Sequence, residues 1–144
     1  MSSAPVLIVE DDELVRSFLC RALTGLAGPV DSCATGAEAL DWVRRRVFGA
    51  ILIDGLLPDT HGIELAKRLV TEANAAASGI CFVSGSLRRS FPLLHGVSAL
   101  PKPLRLRELH ETVQVLLDWH DGGSATTEQR RASLDQLGAE LLVT

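Results

Sequence analysis

Reactive side chains stand at the ends of short apolar runs in this 144-residue chain. Glu10 and Asp11 follow the apolar run of residues 6–9, and Asp54 follows the run of residues 50–53. Carboxylates that share one pocket repel one another, and they ionise together only when a cation neutralises them. A hard divalent ion with oxygen ligands, Mg²⁺ first, is the cation that such a cluster favours.

Two further reactive residues follow later apolar runs. Ser84 comes after residues 80–83, and Lys102 comes after a weaker run around residues 99–100. The carboxyl ends of parallel strands open into one crevice, where functional residues collect in sheets of this kind. If these runs are parallel strands, the hydroxyl and the ammonium group lie beside the carboxylates.

Each of these residues, taken alone, has a simpler explanation. Asp54 stands close to Gly55 and Pro58, a composition typical of turns,. The joint occurrence of all these reactive residues at successive strand ends favours a shared site. Asp12 needs no place in that site because N-capping of the following helix explains it. His61 is interpreted as a surface turn residue.

The elements that must position these residues follow from hydrophobic periodicity. Short β-like runs alternate with longer segments of helical period, which predicts an α/β fold with a doubly wound, five-stranded parallel sheet flanked by helices. The predicted strands are residues 6–9, 30–33, 50–53, 80–83 and a weaker one around 99–100. The connection of residues 86–98 contains Pro92 and Gly96, so we expect its helix, the fourth, to be short or irregular.

The chain is expected to form one main domain over residues 1–120, followed by a linker and a short amphipathic tail over residues 121–144. Thr126 and Gln129 offer a capping pair for a tail helix. That helix would carry one apolar stripe, formed by Leu134, Leu137 and Leu141. The stripe is too small to fold alone at this length. Two interpretations stay open, a frayed terminus and a helix that docks on its own domain or on a second copy.

Composition excludes several classes of function. A net charge of −4 argues against nucleic-acid binding by this domain, which normally needs a basic excess,. The sequence has no apolar run near the ~20 residues of a membrane span and no secretory signal pattern, so we expect a cytoplasmic protein without membrane contact. The three cysteines are far apart, a spacing that suits neither a zinc site nor a redox pair,.

Four stretches, VLIVEDDELVRSFL, ILIDGLLPDTHGIEL, FVSGS and PKP, resemble the receiver domain of bacterial response regulators, from Pro5 to Trp119. The resemblance implies the flavodoxin-like receiver fold of two-component systems and phosphorelays. It implies that Asp54 accepts a phosphoryl group from a sensor histidine kinase or a histidine phosphotransfer protein. The family's cis peptide bond would be Lys102–Pro103. The expected role is that of a signalling phosphoacceptor which assists its own phosphorylation and dephosphorylation, not of an enzyme.

The resemblance also implies the remaining site residues. Glu10 and Asp11 would bind Mg²⁺ together with the phosphoacceptor and the backbone carbonyl of Leu56, Asp11 directly and Glu10 through water. Ser84 and Lys102 would contact the phosphoryl oxygens. The phosphorylated switch would then act on a downstream protein target, with a homodimer as one possible state.

The sequence departs from the family on the side of the domain that gives the output. Ala99 stands where the family usually has an aromatic residue, and the interval from Ser84 to Lys102 is about four residues shorter than usual, roughly one helical turn,. The alternative function is therefore a receiver-like protein-interaction domain that works without phosphorylation. A phosphohydrolase with an aspartyl nucleophile would need a second Asp where Leu56 stands.

Overall fold

The computed structural model describes residues 4–142, and for residues 141 and 142 it describes the backbone only. The strands are β1 (Val6–Val9), β2 (Val30–Cys33), β3 (Ala50–Asp54), β4 (Gly79–Ser84), β5 (Phe91–Leu94) and β6 (Val97–Pro101). The helices are α1 (Glu13–Leu23), α2 (Gly36–Arg45), α3 (Gly62–Leu69), α4 (Leu106–Gly122) and α5 (Thr127–Leu142), with a short 3₁₀ turn at Ala73–Ala75.

The six strands form one sheet in the order β2-β1-β3-β4-β6-β5. All neighbouring pairs are parallel except β5 with β6. The two faces of the sheet carry separate apolar layers, one closed by α2, α3 and α5 and the other by α1 and α4. The α/β, doubly wound prediction is confirmed, with an antiparallel strand added at one edge.

Helices α1 and α2 each begin at a residue whose side chain caps the helix. Asp12 Oδ1 accepts a hydrogen bond from the Val15 N–H at 3.0 Å, which starts α1 directly after the acidic pair. Thr35 caps α2 by accepting from the Glu38 N–H at 3.2 Å. Side-chain caps satisfy N–H groups that a helix leaves unpaired in its first turn. The loops between strand and helix are therefore short and their ends are fixed.

The segment expected to hold a short or irregular fourth helix is instead an antiparallel hairpin, and that prediction is wrong. β5 turns back into β6 through two residues, His95 with φ +52° and Gly96 with φ +77°. Positive φ at both central residues is the geometry of a type I′ hairpin turn. Pro92 cannot stand inside a helix, but it is tolerated on an edge strand. The sheet consequently has six strands and no helix crosses from β4 to β6.

The C-terminal segment docks on its own domain as helix α5. Its start is a full capping box, because Thr126 N–H donates to Gln129 Oε1 at 2.9 Å and Gln129 N–H donates to Thr126 Oγ1 at 3.0 Å,. Leu134 and Leu137 are buried in the apolar layer that also contains α3. The division of the chain after residue 120 stays a prediction. Within the described residues, α4 continues to Gly122 and the connector is residues 123–126.

A buried arginine anchors α5. Arg130 is 1% exposed, and its guanidinium lies over the Trp119 ring, 4.7 Å from the centroid. Its N–H groups donate to the backbone carbonyls of His95, Gly96, Ala75, Ala76 and Ser78. Burial lowers the pKa of Arg130 to about 10. These carbonyls stand at the hairpin turn and before β4, so Arg130 fixes α5 on the face that the absent crossover helix would cover.

No helix within residues 4–142 is long and apolar enough to cross a membrane.

Replacing Arg130 tests whether α5 belongs to the folded domain. Arg130→Ala should lower the free energy of unfolding by at least ~3 kcal/mol, because several buried carbonyls lose their donor together. Arg131→Ala removes the exposed neighbour on the same helix and should change stability by less than about 0.5 kcal/mol. Urea denaturation of both variants measures the difference. Equal effects would mean that Arg130 does not anchor α5.

Candidate functional site

The carboxylates predicted from the sequence converge at the carboxyl ends of β1 and β3. Glu10, Asp11 and Asp54 each place one oxygen so that the three atoms lie within 4.8 Å of one another. Glu10 is 2% exposed, whereas Asp11 is exposed at the edge of the cluster. The parallel pairing of β1 with β3 brings these strand ends together, since Val9 is in register with Ile53.

Lys102 lies on the same cluster. Its Nζ is 3.0 Å from Glu10 Oε1 and 3.6 Å from Asp54 Oδ1. The Lys102 N–H donates to the Ser84 carbonyl at 3.0 Å, which ties the end of β6 to the end of β4. The Lys102–Pro103 peptide bond is cis, as expected. A backbone hydrogen bond and two ion pairs therefore fix the position of Lys102 together.

The electrostatics of the cluster show an excess of negative charge. Burial raises the pKa of Glu10 to about 7, with the Lys102 hydrogen bond opposing the rise and the neighbouring Asp54 adding to it. Burial also disfavours the Lys102 ammonium, but the hydrogen bond to Glu10 and the charge of Asp54 outweigh it, so the pKa of Lys102 is raised. Three carboxylates face one ammonium group. The donor set therefore fits a hard divalent cation, which would neutralise the remaining charge.

Ser84 ends β4 beside the phosphoacceptor candidate. The residue is 7% exposed, and its Oγ accepts a hydrogen bond from the Ser86 N–H at 3.1 Å. A Cβ placed on Gly55, the residue after Asp54, would lie 3.1 Å from that Oγ. Because this hydrogen bond uses the oxygen as acceptor, the hydroxyl hydrogen can donate to an anion held at Asp54.

The loop from β3 to α3 folds tightly back on the strand end. A Cβ on Gly62 would lie 2.5 Å from the Asp54 carbonyl oxygen, so only glycine permits this approach. Gly62 N–H donates to the Gly55 carbonyl at 3.0 Å, and Leu57 N–H donates to the Thr60 carbonyl at 3.1 Å. Neither bond uses the carbonyl of Leu56, whose residue is 71% exposed. Its role as a metal ligand stays a prediction.

Sequence reasoning missed two residues that shape the loops around the site. Arg16 Nη1 donates to the Glu10 carbonyl at 2.9 Å and to the Asp11 carbonyl at 3.5 Å, which holds the acidic turn from the first helix. Its partners are backbone carbonyls, which every residue carries, so the sequence around Arg16 holds no specific signal for these bonds. Asp59 accepts from Gly36 N–H at 2.9 Å and Ala37 N–H at 3.0 Å.

The Asp59 contacts join the loop after Asp54 to the start of α2, and they hold the pKa of Asp59 below its usual value. The partners are more than 20 residues away in sequence, so no local pattern reveals them. His61 caps α3, with Nδ1 accepting from the Ile63 N–H at 3.2 Å. The structure thus gives His61 a capping role in place of the surface turn position that the sequence suggested.

This chain has a doubly wound sheet with an acidic cluster and a lysine at its strand ends, which is the arrangement of a receiver domain. The sequence profile described as the response regulator receiver domain matches residues 6–114. The chain belongs to this family, which acts in two-component signalling.

Individual relatives agree with this assignment. The response regulator receiver protein CpdR of Brucella abortus (strain 2308) is 31% identical over 116 residues, which cover 78% of this chain and 95% of that protein. Further curated relatives are longer, and the chain spans only 13 to 50% of their length.

Solved structures agree as well. The CheY-like receiver domain from Methylobacillus flagellatus is 28% identical, with a TM-score of 0.67, and the match covers 80% of this chain and 99% of that one. The receiver domain of the sensor histidine kinase PA1611 from Pseudomonas aeruginosa PAO1 has a magnesium ion in its active-site cleft. It is 22% identical with a TM-score of 0.67, and the match covers 84% of this chain and 100% of that one. At this identity the similarity shows the fold alone.

Substitution of the neighbouring aspartates tests the assignment of the acidic turn. Asp11→Ala should weaken Mg²⁺ binding about tenfold or more, because it removes one of three carboxylates from the cluster. Asp12→Ala should leave the affinity nearly unchanged and cost about 1 kcal/mol of stability, since Asp12 caps α1. Calorimetric Mg²⁺ titration and urea denaturation separate the two effects. Equal losses of affinity would place the metal ligands one residue further along.

Proposed function

We propose that this receiver accepts a phosphoryl group on Asp54 from a histidine kinase or a histidine phosphotransfer protein, in a reaction that depends on Mg²⁺. The observation that carries the proposal is the position of Asp54. Its carboxylate lies in one cluster with Glu10 and Asp11, and 3.6 Å from the Lys102 ammonium. An isolated turn aspartate would have no such surroundings.

The chemistry follows from the charges. An Asp54 oxygen attacks the phosphorus of phosphohistidine in line, the P–N bond breaks, and the imidazole leaves with that electron pair. The product is an acyl phosphate, whose hydrolysis by water restores the carboxylate. Lys102 offers its ammonium group to the phosphoryl oxygens, and Ser84 offers its hydroxyl. The receiver thereby assists both reactions as a signalling phosphoacceptor, without acting on a separate substrate.

The metal ligands in this proposal are the carboxylates of Glu10, Asp11 and Asp54 and the backbone carbonyl of Leu56. Mg²⁺, when bound, supplies the positive charge that an anionic nucleophile and an anionic donor need at close range. Glu10 supports this assignment, since its carboxylate is buried beside Asp54 and its raised pKa is caused first by burial and further by the Asp54 charge. The magnesium ion in the PA1611 receiver offers a precedent for this fold.

The alternative is a receiver-like interaction domain that works without phosphorylation. The altered output side favours it: residues 86–94 form a loop and a strand in place of a helix, and Ala99 is fully buried against that strand. The cluster nevertheless brings together the carboxylates and the lysine that phosphoryl transfer would use, which supports the phosphoacceptor proposal. We therefore keep the alternative second. A cytoplasmic location, a downstream protein target and a homodimer stay predictions.

Phosphorylation of Asp54 can be measured directly. Incubation of the chain with acetyl phosphate and Mg²⁺ should add one phosphoryl group in the intact mass spectrum. Asp54→Asn, or removal of Mg²⁺ by a chelator, should abolish the addition, because the nucleophile or its charge partner is lost. Undiminished labelling of Asp54→Asn would exclude Asp54 as the acceptor, whereas no labelling of the unmodified chain would support the interaction-domain alternative.

The surface beside the site suits a protein donor. Leu14 is 82% exposed and Phe18 is 41% exposed, both on α1. They line a shallow apolar depression together with Pro103 and Leu104, next to Lys102. Exposed apolar side chains grouped at the edge of a reactive site are typical of protein contact surfaces. We infer that the phosphohistidine-bearing helix of the donor packs here.

A charge on this surface should separate protein donors from small ones. Leu14→Glu should slow phosphoryl transfer from a phosphorylated histidine protein about tenfold or more, because the apolar contact is lost. Phosphorylation by acetyl phosphate should be unchanged. Val47→Glu is the matched control, since Val47 is 48% exposed and lies before the amino end of β3. Equal slowing by both variants, or by Leu14→Glu with both donors, would contradict a docking role.

A further inference from the structure

Two close contacts lead from the phosphoacceptor to helix α5. The first is the approach of Gly62 to Asp54, where a Cβ would lie 2.5 Å from the carbonyl oxygen. The second is between the next residue, Ile63, and Gly138 of α5, where a Cβ on the glycine would lie 3.3 Å from Ile63 Cγ2. The backbone of Asp54 and the C-terminal half of α5 are thus separated only by the first turn of α3.

The orientation of α5 places its C-terminal half at the site edge. Lys67 Nζ pairs with Asp135 Oδ1, whereas the earlier residue Ile63 meets the later residue Gly138. Helices α3 and α5 therefore run antiparallel. Arg130, near the other end of α5, is bound to carbonyls that precede β4 and β6. One end of α5 is anchored away from the phosphoacceptor and the other end lies beside it.

The contact between α5 and α3 is small. Two leucines of α5, Leu134 and Leu137, are buried among the described side chains. The Lys67–Asp135 ion pair is partly exposed to solvent. Burial of one leucine contributes roughly 1.5–3 kcal/mol before the entropy of ordering is subtracted. Elements with few buried contacts open locally at low free energy. The C-terminal half of α5 can therefore respond to a modest change at α3.

We propose that phosphorylation of Asp54 loosens residues 134–142 of α5 from α3 while the Arg130 end stays bound. The proposal rests on the proposed function. A phosphoryl group adds volume and charge at Asp54 and draws Ser84 and Lys102 towards itself, which shifts the backbone against Gly62. Because neither Gly62 against Asp54 nor Gly138 against Ile63 leaves room for a Cβ without a neighbour giving way, a shift at Asp54 displaces Ile63 against Gly138. Loosening uncovers Leu137 and the apolar face of α3, which a downstream partner can bind.

Coupling of this kind is reciprocal. If the phosphorylated site loosens α5, then loosening α5 by other means must raise the affinity of the site for a phosphoryl mimic. Gly138→Val introduces a branched side chain against Ile63, and Ala139→Val introduces the same side chain at an exposed neighbouring position of the helix. Valine is a better helix former than glycine and a poorer one than alanine, so faster exchange in Gly138→Val cannot come from helix propensity and reports the contact with α3.

Hydrogen exchange of the full chain tests the proposal, with Asp54 phosphorylation followed by intact mass on the same samples. With acetyl phosphate and Mg²⁺, amides in residues 134–142 should exchange about fivefold faster or more, and those of residues 127–131 should change less. Gly138→Val should exchange faster in residues 134–142 without phosphorylation. It should also bind beryllofluoride with Mg²⁺ more tightly, by at most the factor by which its exchange rises. Ala139→Val lowers helix propensity without touching α3, so it should raise exchange less than Gly138→Val and leave the beryllofluoride affinity unchanged.

The outcomes distinguish the two proposals. Full phosphorylation with unchanged exchange in residues 134–142 would overturn the coupling and leave the phosphoacceptor function intact. The same holds if Gly138→Val loosens α5 without changing beryllofluoride affinity. A chain that takes up no phosphoryl group would overturn the proposed function and the coupling with it.

Discussion

The structure depends on the confinement of three carboxylates beside one ammonium group at the ends of parallel strands. Glu10 is almost fully buried, and it stays near Asp54 because β1 and β3 pair in parallel and end together. The three carboxylates repel one another at this distance. Arg16, Asp59 and Gly62 hold the surrounding loops, so the backbone does not move to relieve that repulsion. This unbalanced negative charge is the feature on which the proposed cation binding and the proposed phosphoryl transfer depend.

The second feature of the fold is the replacement of one crossover helix. Between β4 and β6 the chain makes a hairpin at the sheet edge, which leaves one apolar face of β6 without the helix that a βαβ connection would supply,. Helix α5 covers this face from the C-terminal end of the described chain. The arrangement keeps the acidic cluster of a receiver while it changes the surface of the domain on the α5 side.

Helix α5 also shows how a buried charge can specify one docking geometry. Arg130 has no carboxylate partner among residues 4–142, and its guanidinium is satisfied by five backbone carbonyls and the Trp119 ring. The fork of N–H donors fits these carbonyls in one orientation. The leucines of α5 alone would permit several orientations, since apolar contact is not directional.

The sequence by itself determined the parallel strands, the caps at Asp12 and Thr126, and the residues that converge on the site, because these follow from local periodicity and from the geometry of strand ends. It also contained the turn residues His95 and Gly96, yet the hairpin they form was not predicted. Only the tertiary structure decided where α5 lies. Arg130 contacts carbonyls 34 to 55 residues away in sequence, and contacts of such range leave no periodic trace in the chain.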